Sequence, residues 1–122
     1  SMRTYETIYI VHPEIVGDSY QAIVEKFKGI LEGLKANVLK VDEWGTRKLA
    51  YPVKKQGRGT YVLMAYEAAA DVIAELERRM RIDENVIKFQ TVLLENGYQE
   101  TVPAAGETEG AEDAEEEIED NE

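Results

Sequence analysis

The chain has 122 residues, enough for one domain and too short for two, and its formal net charge is −11. Residues 100–122 contain 11 acidic residues and no basic ones, whereas residues 1–99 hold 14 of each, so a neutral body carries an acidic C-terminal segment. Because the chain has no Cys and one His, the composition excludes disulfides, a thiolate or multi-histidine metal site and a thiol nucleophile.

Membrane and secretion signals are missing from the sequence. No apolar run approaches the length of a membrane span, and the N-terminus lacks the charged-then-apolar pattern of a signal peptide. We therefore expect a soluble cytoplasmic domain that does not bind a membrane, a cofactor or a small-molecule substrate.

The first half of the body predicts a strand, a helix and a second strand. Residues 5–11 are rich in β-branched and aromatic side chains and are apolar on both faces, which places this strand inside a sheet. A helix begins at Asp18, with Gln21 in a capping-box relation, and apolar residues then recur at helical spacing. Asn37 is its predicted left-handed stop, and residues 38–44 form the second strand.

The second half repeats this order after a long connection. Residues 60–66 read as a strand, residues 69–80 as a helix with one apolar side, and residues 86–94 as a fourth strand. The order βαββαβ predicts an α+β fold, the ferredoxin-like sandwich, in which a four-stranded antiparallel sheet carries both helices on one face. We expect this domain to span residues 2–98, with the other face of the sheet open to solvent or to a partner.

The C-terminal segment, residues 99–122, has a different composition. It is rich in Glu, Gly and Ala and has no aromatic residue, so it cannot bury enough apolar surface to offset the entropy of ordering. We predict a disordered acidic tail. Two interpretations stay open for it: a solubilising extension, or a docking element for basic partners.

Nothing in the sequence indicates an enzyme. His12 lies next to Pro13 at a strand end without a nucleophile near it, which is typical of a turn histidine. The run of residues 57–59 has the glycines of a phosphate loop but neither the P-loop spacing nor a following helix.

Basic residues are concentrated in a stretch without any acid, residues 47–58. The stretch joins the second strand to the third and has the reach of a protruding β-hairpin. It is either an arm that contacts phosphates or a solvated hairpin whose lysines discourage sheet-to-sheet aggregation. Its five cations are Arg47, Lys48, Lys54, Lys55 and Arg58.

A second basic cluster ends the second helix. Arg78, Arg79 and Arg81 lie where cations also favour the helix dipole, so the cluster has both a structural and an RNA-binding interpretation. Arg3 in the first strand and Lys88 in the fourth are candidates to extend the same surface.

Three other families share the βαββαβ order and can be compared with this sequence. RNA recognition motifs stack bases on third-strand aromatics, but Thr60 and Val62 occupy those positions here, which favours backbone or shape recognition. A small-ligand regulatory domain of the ACT type needs a glycine-rich strand–helix turn, and the turn here offers only Gly17. An acylphosphatase needs an Arg after the first strand, and no Arg lies between Arg3 and Arg47.

Residues 44–55 read Trp-Gly-Thr-Arg-Lys-Leu-Ala-Tyr-Pro-Val-Lys-Lys and closely resemble the signature of one family, bacterial ribosomal protein S6, the sixth protein of the small subunit. The resemblance extends over residues 2–98 and includes the segments 2–7, 59–61 and 81–86. Ile87 departs from it, since a basic residue can occur there in relatives.

The resemblance implies a ferredoxin-like fold, no catalytic activity and a place in the platform of the small ribosomal subunit. It also implies pairing with ribosomal protein S18, the eighteenth protein of that subunit, and binding of the pair to the central domain of the small-subunit ribosomal RNA. By position, the implied RNA contacts are Arg3, Arg47, Lys48, Arg79, Arg81 and Lys88, to which the basic stretch adds Lys54.

The neutral body agrees with the implied pairing. A protein domain of zero net charge attracts a polyanion weakly at long range, and an acidic tail adds repulsion. We therefore expect weak RNA binding by the chain alone and tighter binding by a heterodimer whose partner supplies further positive charge.

Overall fold

A computed structural model describes residues 1–98; the predicted disordered tail, residues 99–122, lies outside the described residues. The elements follow in the predicted order βαββαβ. They are β1 (Arg3–Val11), α1 (Gly17–Gly33), β2 (Asn37–Val53), β3 (Gln56–Ala68), α2 (Ala70–Ile82) and β4 (Val86–Leu93).

The four strands form one antiparallel sheet in the order β2-β3-β1-β4. Strand β1 lies inside the sheet, as its two apolar faces predict, and Tyr9 pairs with Val62 of β3 on one side and Phe89 of β4 on the other. Both helices pack against the same face of this sheet. The predicted α+β ferredoxin-like sandwich is therefore confirmed.

The main core lies between the sheet and the helices. Odd-numbered residues of β1 point into it, because successive side chains of a strand alternate between the two faces. Tyr9 is fully buried and meets Phe27 of α1 edge to face, with ring centroids 5.3 Å apart. Leu31 and Leu76, from the two helices, are also fully buried.

A second, smaller core lies on the opposite face of the sheet, which the sequence predicts to be open. Its buried members are Ile10, Leu49, Val53, Tyr61 and Ile87. The hairpin formed by the ends of β2 and β3 supplies Leu49 and Val53, so this extension folds against the sheet. Part of the predicted open face is thus covered by the chain itself.

Gly59 permits this close approach. A Cβ atom at Gly59 would overlap the side chain of Ile10 and would also contact Ile87 and Leu49. The requirement is one of space, because only a residue without a side chain leaves room for Ile10 beneath the hairpin.

The capping box predicted for α1 does not form. The helix begins at Gly17, one residue earlier than predicted, and its N-cap residue Val16 makes no side-chain cap hydrogen bond. Asp18 instead lies in the first turn, where a carboxylate interacts favourably with the helix dipole. Gln21 donates a side-chain hydrogen bond to Glu43 of β2, at 3.2 Å, rather than closing a box.

Strands β2 and β3 are longer than predicted, and the connection between them is correspondingly short. Strand β2 continues to Val53 and β3 begins at Gln56, so most of the predicted long connection is paired. The predicted left-handed stop is also wrong: Lys35, with φ of 71°, takes that conformation, and Asn37 is the first residue of β2.

Candidate nucleic-acid interface

The basic stretch, residues 47–58, forms the end of the β2–β3 hairpin, and we call it the cationic hairpin. Arg47 pairs with Gly59, and Val53 pairs with Gln56 across the turn, which confirms the predicted hairpin. The side chains of Lys48, Lys54, Lys55 and Arg58 are all exposed. The hairpin therefore carries four accessible cations, although it folds against the sheet instead of protruding as predicted.

The turn of the cationic hairpin consists of two lysines. Lys54 and Lys55 have φ of 49° and 67°, so both lie in the left-handed region. Two-residue hairpin turns with positive φ at both positions favour Asn and Gly, since other residues pay a steric penalty there. The turn is therefore strained, and it places two ammonium groups at the tip of the hairpin.

Two further cations face each other across the ladder. Lys48 of β2 is the Cα partner of Arg58 of β3. Like charges directly opposite each other destabilise an antiparallel pair. No ion pair links either side chain to an acid within the described part of the chain, so the repulsion is not compensated there.

Arg47 lies on the other face of the hairpin, beside an aromatic platform. Its guanidinium donates a hydrogen bond to the carbonyl oxygen of Trp44, at 3.3 Å, and its Cζ lies 5.9 Å from the centre of the Trp44 ring. Trp44 stacks on Tyr61, with centroids 6.0 Å apart and an angle of 14° between the planes. These contacts hold Arg47 in one orientation while leaving its side chain half-buried.

Lys88, on β4, lies below the surface. It is 8% exposed, and its Nζ lies 6.0 Å from the centre of the Tyr51 ring of the hairpin. Because β4 carries Lys88 next to Ile10 in the register, the hairpin that covers the second core also covers this lysine. Most of its side chain is thus inaccessible to a phosphate at the surface.

The arginines at the end of α2 are partly engaged with an acid. Glu75 accepts two hydrogen bonds from Arg78, both at 2.9 Å, and one from Arg79, at 2.6 Å. The hydrogen bonds from Arg78 and then Arg79 lower the pKa of the Glu75 carboxyl to about 2. A phosphate that binds these arginines has to compete with this carboxylate.

The remaining two candidates lie at opposite ends of the sheet. Arg81 is exposed, and its Cζ lies 5.6 Å from the centre of the Phe89 ring, near the end of the sheet that carries the hairpin. Arg3 pairs with Ala68 at the other end of β1, and the length of the strand places it about 25 Å from Val11 at the hairpin end. The structure therefore groups most of the predicted cations at one end and leaves Arg3 apart.

Three other kinds of site remain to be considered in the described residues: a catalytic histidine, a metal centre and a membrane span. His12 accepts a hydrogen bond from the backbone N–H of Glu14, at 3.1 Å, as in a turn. Within residues 1–98, no cluster of three or more His, Asp or Glu side chains is arranged to hold a metal ion. No helix there is both long enough and apolar enough to span a membrane.

Comparison with known proteins identifies the family. Residues 4–93 match the family described as ribosomal protein S6. The chain is 67% identical over 116 residues to small ribosomal subunit protein bS6 of Syntrophotalea carbinolica, covering 95% of this chain and all of that protein. It is 40% identical over 118 residues to the bS6 protein of Pelobacter propionicus, covering 93% of this chain and 92% of that one.

A solved structure agrees with these sequence relatives. The crystal structure of 30S ribosomal protein S6 from Thermotoga maritima superposes with a TM-score of 0.74 at 30% identity, covering 77% of this chain and 89% of that one. The chain belongs to the ribosomal protein S6 family. It is a structural component of the small subunit of the cytoplasmic bacterial ribosome and not an enzyme.

Sequence reasoning did not anticipate the aromatic side of the hairpin. Trp44 and Tyr51 lie against Arg47 and Lys88 respectively, and these contacts decide which cations are accessible. Strand alternation gives no signal for either contact, because Trp44 and Arg47 differ in parity along β2 and Lys88 lies on another strand.

Proposed function

We propose that the chain binds small-subunit ribosomal RNA, in the central domain at the platform, together with ribosomal protein S18. The observation that carries this proposal is the cationic hairpin, in which exposed like charges face each other without an acid among residues 47–58. Such an arrangement is costly in isolation and favourable beside a row of phosphates, whose charge compensates the repulsion.

The contacts divide into three kinds. Lys48 and Lys54 meet phosphates from the exposed side and the tip of the hairpin, together with Lys55 and Arg58. Arg47, oriented by Trp44, meets the RNA from the other face, and a guanidinium suits bidentate phosphate contact. The third kind comprises candidates that the structure supports less directly, namely Arg3, Arg79, Arg81 and Lys88.

These weaker candidates differ in what they would require. Arg81 is exposed at the hairpin end of the sheet and can extend the same footprint. Arg79 must leave Glu75, and Lys88 must emerge from beneath Tyr51. Arg3, at the far end of β1, would need a separate segment of RNA.

Charge supports the need for a partner. The 14 bases of residues 1–99 are balanced by 14 acids, so attraction to a polyanion is confined to the hairpin end of the domain. A partner chain with surplus basic residues would extend this short-range site into a larger one. The half-buried aromatic side chains Trp44 and Tyr51, on the face opposite the helices, offer it apolar contact area beside the hairpin.

A mobility-shift titration tests the proposal. A central-domain fragment of small-subunit ribosomal RNA is titrated with the full chain, with and without ribosomal protein S18. We expect weak binding by the chain alone and much tighter binding by the pair. Equal affinity in both cases would contradict cooperative binding, and absence of binding in both would contradict the RNA site.

A pair of variants assigns the binding to the hairpin. Lys48→Ala should weaken binding by the pair, whereas Lys28→Ala, which removes one charge from α1 on the far face, should leave it unchanged. Equal losses from both variants would indicate a general charge effect instead of a hairpin contact.

A further inference from the structure

Four exposed cations of the hairpin have no ion-pair partner among residues 1–98: Lys48, Lys54, Lys55 and Arg58. Several other cations are engaged within the domain. Lys26 pairs with Asp83 at 2.8 Å, and Glu75 holds both Arg78 and Arg79. The uncompensated positive charge of the body is therefore densest on one short element.

The same chain contains a polyanion of matching character. Residues 107–122 include ten acids and no base. Ten carboxylates in 16 residues give a linear charge density that resembles that of a nucleic acid strand more than that of an ordinary protein surface. This segment begins nine residues after Tyr98, the last residue that the structure describes.

The place where the described chain ends puts the hairpin within reach. The backbone N–H of Leu94 donates to the carbonyl of Thr4, at 2.8 Å, so the chain leaves the sheet at the end opposite the hairpin. Strand β3 has 13 residues, so it runs about 40 Å from that end to the turn. The 14 residue-to-residue steps from Tyr98 to Glu112 allow a maximum span of roughly 46–50 Å.

We propose that the acidic segment, residues 107–122, binds the cationic hairpin of its own chain and occupies the surface until RNA displaces it. The contact is intramolecular, so it does not depend on protein concentration. It compensates the repulsion between Lys48 and Arg58 and places carboxylates beside the ammonium groups of Lys54 and Lys55. The competition with RNA rests on the proposed function; the contact between segment and hairpin does not.

Zero-length carbodiimide cross-linking of the full chain tests the contact without RNA. At about 0.05 M salt, mass spectrometry should find carboxylates of residues 107–122 joined to Lys54, Lys55 and Lys48, and these products should decline severalfold at about 0.5 M salt. Lys28 and Lys35 are the internal controls, since they are lysines outside the hairpin. Links distributed equally over all five lysines would overturn the proposal.

A mixture of unlabelled and isotopically heavy chain separates contacts within a chain from contacts between two chains. Links that join only peptides of the same isotope support the intramolecular contact. Links that join mixed isotopes at the statistical frequency show a second copy as the occupant and overturn it.

A double-mutant cycle then tests the competition. With the seven acids of residues 112–120 replaced by Gln or Asn, the affinity for the RNA fragment should rise about threefold to tenfold at low salt. In the background Lys54→Gln, Lys55→Gln the same change should raise the affinity less than about twofold. An equal gain in both backgrounds would show long-range repulsion by the tail and would overturn the competition.

The outcomes distinguish the two proposals. Absence of RNA binding in the titration would contradict the proposed function, whereas the cross-links would still report whether the acidic segment covers the hairpin. Cross-links confined to the control lysines would contradict this inference and leave RNA binding untouched.

Discussion

Lys48 and Arg58 stand directly opposite each other in the β2–β3 ladder, two like charges at a position where a stable hairpin would carry an opposite pair. The adjoining turn adds strain, because Lys54 and Lys55 both adopt positive φ. Residues that lower the stability of their own element are typical of binding sites. The hairpin is therefore less stable than its length allows, but it concentrates positive charge on one short element.

Arg58→Glu should stabilise the folded domain and weaken RNA binding. The change replaces a repulsive cross-strand pair by an attractive one, so the free energy of unfolding should rise by about 0.5–1 kcal/mol. Urea denaturation measures the first effect and mobility shift the second. A loss of stability, or unchanged RNA affinity, would contradict the role assigned to this pair.

The turn offers a second test of the link between low hairpin stability and RNA binding. Replacing Lys54→Asn and Lys55→Gly gives the residues that this turn conformation prefers, and should raise the free energy of unfolding by about 1–2 kcal/mol. The same variant removes two cations from the tip, so RNA binding should weaken. If the RNA affinity does not change, the tip does not contact phosphate.

Gly59→Ala should destabilise the domain by about 1–3 kcal/mol, because the new methyl group would overlap the side chain of Ile10. Gly57→Ala is the matched control: it lies two residues earlier in β3, and an added Cβ there contacts nothing within 4 Å. Thermal or urea denaturation compares the two. Equal effects would show that the hairpin does not pack against Ile10 as described.

Glu75 should titrate far below an ordinary glutamate. Its pKa of about 2 in the folded state lies below the ordinary value of 4.5, so its ion pairs stabilise the fold above pH 4.5 and lose this contribution as the pH falls toward 2. A carboxyl NMR titration measures the pKa directly. In Arg78→Gln, Arg79→Gln it should return toward 4.5; an ordinary pKa in the unmodified chain would contradict these contacts.

The sequence predicts the fold well because its strands and helices carry strong local patterns. Residues 5–11 are apolar on both faces, and β1 does lie between two neighbours. The length of β2 was not predictable in this way, since Gly45 and Pro52 interrupt the pattern and only pairing with β3 keeps the strand continuous to Val53. The left-handed Lys35 and the lysine turn were missed because propensity favours Asn and Gly there.

The site was predicted less completely than the fold, because accessibility depends on long-range packing. Lys88 is a residue type that commonly binds phosphate, yet the hairpin buries it beneath Tyr51. The sequence indicates a free cation at Arg79, but in the structure its side chain binds Glu75, four residues earlier on α2. Arg3 lies at the end of β1 opposite the hairpin, and only the register of β1 with β3 shows this.

The salt dependence of RNA affinity, measured for the pair with ribosomal protein S18, tests the central claim most directly. If four to six cations meet phosphates, log K should fall with log salt with a slope of roughly −3 to −5, and Arg47→Ala should reduce the slope by about one. A slope near zero, unchanged by Arg47→Ala, would show that the hairpin is only a solvated sheet edge and would contradict the account.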